Sequence, residues 1–263
     1  MGLDEMILGR LRQTPPENCT VVPGSTAVIA FGRFRTARVA TVSLNPSYME
    51  FKLVGGERRF HTLDSLGIRR YEDFDEASRD RLLDYCERYF ERPQIYYDGW
   101  FDRVERFIQS SLNVSYFDGS ACHLDISQWA TEEVWNNLTP QQQSHLASHA
   151  DLELVRELIT QGPYTTILLN GAKTASRVLT TLKIDYQTER LRNTHTDASG
   201  KKKYKVEVYC ARIKELLGKP LEREVRVIGW NFYIKYAAED SLALVRQWMS
   251  PMNATHPATD AAE

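Results

Sequence analysis

None of the four cysteines, Cys19, Cys86, Cys122 and Cys210, belongs to a Cys-x-x-Cys pair, so zinc-ribbon, iron-sulfur and dithiol redox chemistry find no support in the sequence. Widely spaced, unpaired thiols suit a reducing compartment. Also missing is any apolar run long enough to span a bilayer, and the charged start "MGLDEMILGRLRQ" lacks the apolar core of a signal peptide. A cytoplasmic protein without a membrane partner is the expectation. Nor is there a cationic excess: 33 Lys and Arg against 35 Asp and Glu leave a net charge of -2. That balance excludes a histone-like or tail-driven nucleic-acid binder, but not a local basic groove. Finally, no repeat and no linker divides the 263 residues. One domain over 1–250 is expected, followed by a small polar tail, 251–263, read as disordered.

What the chain does contain is an alternation of strand-like and helix-like segments. Leu3, Met6, Ile7 and Leu11 recur at helical spacing and stop at "TPPE". Two β-like runs follow, "AVIAFGRF" and "ARVATVSL", the second nearly continuously apolar, as for a strand buried on both faces. The Gly-containing, cationic stretch 52–70 reads as a loop with short turns. "DEASRDRLLDYCERYF" is a helix with an aspartate placed to begin it, and "YYDGWFDRVERFIQSS" a helix entered through an aromatic turn. An extended segment then delivers His123 and Asp125, and a helix spans about 151–159. "YTTILLNGAKTASRVLTTL" is strand, Asn-Gly turn and helix. "NTHTDASGKKKYKVEVY" is a lysine-rich excursion beside a short strand, and "REVRVIGWNFYIKYA" a last strand before the helix "EDSLALVRQWM".

This alternation predicts an α/β fold, a three-layer α/β/α domain with a central, mostly parallel sheet. Ligands of such sheets collect beyond the carboxyl ends of the strands. Polar turns at Asn45, at His123 to Asp125, at Asn170 and at Trp230 to Asn231 each close a predicted strand, so one crevice is expected to hold all four. Asn45 has two readings. It either opens an Asx-Pro turn, or it holds a water by its amide while remaining uncharged, which suits cleavage of an N-glycosidic bond through an oxocarbenium-like sugar.

"ATVSLNPS", "ACHLDISQWAT" and "TTILLNGAKTASRVL" resemble, in this order, the motif strands of the uracil-DNA glycosylase superfamily. With "RRFHTLDSLG" and "GWFDRVERF", the pattern is similar to bacterial uracil-glycosylase-like proteins and covers most of 27–249. The resemblance implies a monofunctional DNA glycosylase that leaves an abasic site, has no cofactor and no metal, takes DNA as its partner and acts as a monomer. Residue by residue, it implies that Asn45 orients the hydrolytic water, that Tyr48 or Phe51 stacks on the flipped base, and that Asn170, with Gly171 after it, belongs to the base pocket. Asn170 either reads an exocyclic group or serves as the corner of its turn.

The family's His-Pro-Ser element is replaced here by "GWNFYIKYA", which removes a stabiliser of the departing base and shifts the expected substrate from uracil to a modified or damaged pyrimidine. The bacterial resemblance suggests phage defence against a hypermodified cytosine such as glucosylated hydroxymethylcytosine. His123 either substitutes for the missing histidine, oriented by Asp125 two residues on, or makes a structural His-Asp pair. Glu50 either stabilises the sugar cation and polarises water, or pairs with Arg58 or Arg59. For the DNA backbone the favoured cations are Arg58, Arg59, Arg69 and Arg70, with Lys201 to Lys203 and Lys205 undecided. Trp230, Asn231 and Phe232 either wedge into the base stack or pack the final turn. The alternative function is a catalytically inactive reader of modified or damaged DNA; a hydrolase of free nucleosides is a third.

Overall fold

The computed structural model describes residues 2–92, 96–196 and 203–253. In chain order its main elements are α1 (Leu3–Leu11), β1 (Val39–Ser43), the small hairpin β2 (Leu53–Val54) and β3 (Glu57–Arg58), α2 (Glu76–Glu87), α3 (Asp98–Leu112) and β4 (Ala121–Asp125). Then follow α4 (Pro140–Leu146), α5 (His149–Gln161), β5 (Thr166–Asn170), α6 (Ala172–Thr181), β6 (Gln187–Thr196), β7 (Lys203–Leu216), β8 (Lys219–Trp230) and α7 (Glu239–Asn253). The fold is the expected α/β one. Among the described residues the main sheet has six strands in the order β4-β1-β5-β8-β7-β6. β4, β1, β5 and β8 run parallel, while β7 pairs antiparallel with both β8 and β6.

The buried strands explain this order. All five residues of β4 and the first four of β1 are buried, as parallel strands covered on both faces must be. At the end of β8 the two faces separate. A Cβ on Gly229 would lie 3.3 Å from the Cβ of Ala175 in α6, whereas the neighbouring Trp230 packs on Phe107 of α3 with ring centroids 5.0 Å apart. Adjacent strand residues point to opposite faces, so α6 and α3 form the two outer layers there.

Several local expectations hold for identifiable reasons. Asp75 caps α2, its Oδ1 accepting from the Ser78 N–H at 2.8 Å. Others are corrected. The run 27–34 is not a strand of the sheet. It lies extended along the outer edge of β4, making one antiparallel bridge in which Phe31 and His123 exchange N–H···O bonds of 2.9 Å, and so shields an edge strand. The lysine-rich region is not an excursion beside a short strand but lies between two long ones, β6 and β7, which extend the sheet. Of its lysines, Lys201 and Lys202 lie outside the described residues. The last helix continues through Pro251 to Asn253, and 254–263, the rest of the expected tail, lies outside the described residues. Among the described residues no helix is long and apolar enough to cross a membrane.

Candidate active site

Beyond the carboxyl ends of β1, β4 and β5 lies a cavity of about 500 Å³, within the range of small-molecule sites. Asn45, Tyr48, Glu50, His123, Asp125 and Asn170 all line it, so three of the four expected strand-end turns do converge.

Asn45 sits two residues past β1, and its amide is held by the segment that follows the neighbouring strand β4. Nδ2 donates to Thr131 Oγ1 at 2.9 Å, to the Trp129 carbonyl at 3.3 Å and to the Pro46 carbonyl at 3.1 Å. Two of these acceptors are carbonyls, and the Thr131 hydroxyl spends its proton on the Glu133 carbonyl. The nitrogen therefore faces the protein, and Oδ1 has no protein partner among the described residues. The segment carrying Trp129 and Thr131 is anchored in turn by a buried ion pair, Arg10 to Asp151 at 2.6 Å. Asp151 also accepts the Gln128 N–H, Arg10 Nε donates to Gln128 Oε1, and the Arg10 guanidinium lies 4.7 Å from the Trp129 ring centre. An Asx turn would have Oδ1 accept a backbone N–H; instead the local turn is closed by Ser47 Oγ, which accepts the Met49 N–H at 3.2 Å, and the Asn45 amide spends its donors on Pro46, Trp129 and Thr131.

Two carboxyls and an imidazole lie deeper. His123 Nδ1 is 2.7 Å from Thr41 Oγ1, which is itself 2.7 Å from the Tyr116 hydroxyl. As the i, i+2 spacing requires, Asp125 shares the face of His123, with Oδ1 3.4 Å from Nε2, but without hydrogen-bond alignment, so both Asp125 oxygens are buried and unpartnered. Glu50 is buried on the single turn Tyr48–Phe51. Its partner is neither Arg58 nor Arg59 but Tyr89, whose hydroxyl donates to Oε2 at 2.5 Å. Burial pushes the Glu50 pKa up to about 8, and the charge of Asp125 adds to the rise against the opposing pull of the Tyr89 hydrogen bond, Arg59 and Arg92. Glu50 is therefore a neutral acid at pH 7.

The walls are aromatic: Phe31, Tyr97, Trp100, Phe101, Trp135 and Tyr233, with Tyr48 beside Asn45. Tyr97, Trp100 and Phe101 come from the aromatic entry of α3, whose composition was visible in the sequence but whose direction was not. Asn170 is tied to the end of the sheet and also lines the cavity. Its Oδ1 accepts from Trp230 Nε1 at 3.2 Å and from the Ile234 N–H at 3.0 Å, which leaves Nδ2 on the cavity.

Other expected site residues lie elsewhere. Phe51 is a core residue, 5.9 Å from the Phe60 ring, because the short turn points Tyr48 to the cavity and Phe51 inward. Gly171 does not line the cavity. Its φ of 101° and a Tyr233 ring atom 2.7 Å from where a Cβ would stand show that its absent side chain makes room for Tyr233. Trp230 is buried. Asn231 ties β8 to β7 through the Glu207 N–H and the Lys205 carbonyl, and Phe232 packs on the core. The exposed aromatic at the mouth is Tyr236, 79% accessible and accompanied by Lys235.

The arginine cluster also separates. Arg59 is buried, bonding the Met49 carbonyl under Tyr97, and its charge moderates the rise in the Glu50 pKa. Arg58 donates to the Phe51 carbonyl, Arg70 pairs with Asp73 at 2.9 Å, and Arg69 is exposed. Lys235 lines the cavity, and an adjoining groove that shares Leu44, Trp135 and Asn136 with it carries Lys173 and Arg177 of α6. Comparison with protein-family models and with curated proteins finds no match to this chain.

Proposed function

We propose that the protein is a monofunctional DNA glycosylase acting on an extruded, modified or damaged pyrimidine. The observation that carries this reading is the fixed amide of Asn45, whose three hydrogen bonds take its donors and leave Oδ1 for a cavity large enough to admit a nucleobase. A water accepted there is oriented without being deprotonated, which suffices when the sugar leaves as an oxocarbenium-like cation. The C1′–N1 electron pair departs with the base, the water oxygen bonds C1′, and the water's proton passes to the base. The aromatic walls offer faces for stacking. Tyr236 at the mouth is shaped to fill the gap in the duplex, and Lys235, Lys173 and Arg177 are placed for flanking phosphates. His123 is a positioning residue in this scheme, since Nδ1 is committed to Thr41 and Nε2 faces Asp125. The antiviral setting and the glucosylated cytosine rest on the sequence resemblance alone.

Incubation with unmodified and phage-modified genomic DNA, followed by alkali and mass spectrometry of released bases, tests the proposal. Strand breaks with a free base support it. A mobility shift without breaks supports the reader instead. Asn45→Ala is expected to lower base release at least about 100-fold, the cost of a misplaced nucleophile, with DNA affinity retained. Undiminished release would remove the water-orienting role.

A further inference from the structure

The cavity floor carries a polar pair that water orientation does not use. Asp125 is 5% accessible and lines the cavity, yet neither carboxylate oxygen has a hydrogen-bond partner among the described residues. Buried acceptors left unpaired are costly, and a charged one more so, and His123 Nε2, 3.4 Å from Oδ1 but not aligned for a hydrogen bond, does not offset that cost. Glu50 lines the same cavity. Its Oε2 is taken by Tyr89, which leaves Oε1, and the carboxyl holds its proton at neutral pH because burial raises its pKa to about 8. The floor therefore offers a pair of unpaired carboxylate oxygens on Asp125 and a donor on Glu50.

We propose that Asp125 and Glu50 together read a base edge on which an exocyclic amine sits beside an unprotonated ring nitrogen, Asp125 accepting from the amine and Glu50 donating to the nitrogen. Cytosine and adenine carry this edge. Uracil, thymine and hypoxanthine present a carbonyl and a ring N–H instead, which sets acceptor against acceptor at Asp125 and donor against donor at Glu50. Asn170 Nδ2, the free amide donor, suits the pyrimidine O2, which cytosine and uracil share, so it adds affinity without discrimination. This inference rests on the base-excising reading and names the class of base that the site admits.

The test uses duplexes carrying one 5-hydroxymethylcytosine or 5-hydroxymethyluracil, and one adenine or hypoxanthine. Each is made as the ordinary deoxynucleotide and as its hydrolysis-resistant 2′-fluoroarabino form. Released base is measured on the first and Kd on the second. In whichever pair the cavity admits, the amine-bearing member is expected to bind about 10- to 100-fold tighter, the discrimination of one good bidentate contact. Glu50→Gln, which still donates, should keep that preference, and Asp125→Asn, which can donate to the carbonyl while Glu50 still opposes the ring N–H, should reduce it at least several-fold. Glu50→Leu, without a donor, gives a second reading if Asp125→Asn fails to fold, and should erase most of the preference. Equal or better binding of the carbonyl-bearing member, or an unchanged preference in folded Asp125→Asn, overturns the proposal. Selective binding without release upholds it while refuting base excision; release without selectivity does the converse. Absence of both binding and release across all four probes overturns both.

Discussion

Glu50→Gln isolates the energetic consequence of burying an acid in the cavity floor. The Glu50 pKa rises from 4.5 to about 8. A group whose folded pKa is raised holds a proton that the unfolded chain has already lost, so between about pH 4.5 and 8 the native state binds one proton more, and stability falls as pH rises. At 1.36 kcal/mol per pH unit the gap amounts to about 5 kcal/mol. This is an upper bound, because local opening admits water to the ionised group. Glutamine retains an oxygen for the Tyr89 hydroxyl but cannot ionise. The wild type and the variant should therefore be similarly stable near pH 5, and the variant should gain on the wild type by about 1.4 kcal/mol per pH unit until the curves run parallel above pH 8. In melting temperature the separation at pH 8.5 is about 10 °C for a domain of this size. Urea denaturation followed by tryptophan fluorescence from pH 5 to 9 measures it. Taking the difference between the two proteins cancels the other titrating groups, including His61, whose pKa burial lowers. Parallel curves across the whole range would show that Glu50 ionises normally and would refute the neutral acid on which both the site and the base-edge inference draw.

Three other substitutions separate the roles assigned above. Phe51→Ala should cost about 3–5 kcal/mol of stability, as for a buried Phe, measured by urea denaturation, and should leave base selectivity unaltered; a base-stacking Phe51 would give the opposite pattern. Tyr236→Ala should leave the melting temperature unchanged, since the ring is 79% accessible, and weaken duplex binding about tenfold, the stacking value of one aromatic, in a fluorescence-anisotropy titration. Gly171→Ala places a Cβ at φ 101° and 2.7 Å from the Tyr233 ring, so it should lower both melting temperature and base affinity; an unaffected protein would show that Tyr233 is free to move.

How far the sequence led depends on whether the deciding contact was local. The nearly continuous apolar run through 39–42 announced a doubly buried strand, and the alternation of His123 and Asp125 on an extended segment required a shared face; both are observed. Asp75 as a cap needed only its own next three residues. By contrast, the side of the chain to which Phe51 and Trp230 turn is set by partners at Phe60 and Phe107. Nothing in the immediate neighbourhood of either residue encodes that choice. The run 27–34 has the composition of a sheet strand, yet makes only one bridge to β4, because β propensity reports a half-buried surface rather than membership of a ladder. The arginines were read as one group because they are close in sequence. Burial next to Glu50 sets Arg59 apart from its exposed neighbours.

The chemical character of the site follows from the same division between local and distant contacts. Asn45 reaches its anchors across 84 and 86 residues, Glu50 meets Tyr89 across 39, and His123 meets Thr41 across 82. Parallel strands joined by crossovers make such separations unavoidable, and each anchor withdraws one polar atom from the cavity while leaving its neighbour exposed to it: Nδ2 but not Oδ1 of Asn45, Oε2 but not Oε1 of Glu50, Oδ1 but not Nδ2 of Asn170. The cavity is thereby given an acceptor at its mouth and donors within, with almost no freedom to exchange them. Asp125 is the exception, anchored at neither oxygen. Where Asn45, Glu50 and Asn170 are each half-committed to the fold, Asp125 has only the unaligned His123 Nε2 at 3.4 Å beside it, which is why its carboxylate is the group assigned above to a donor on the ligand.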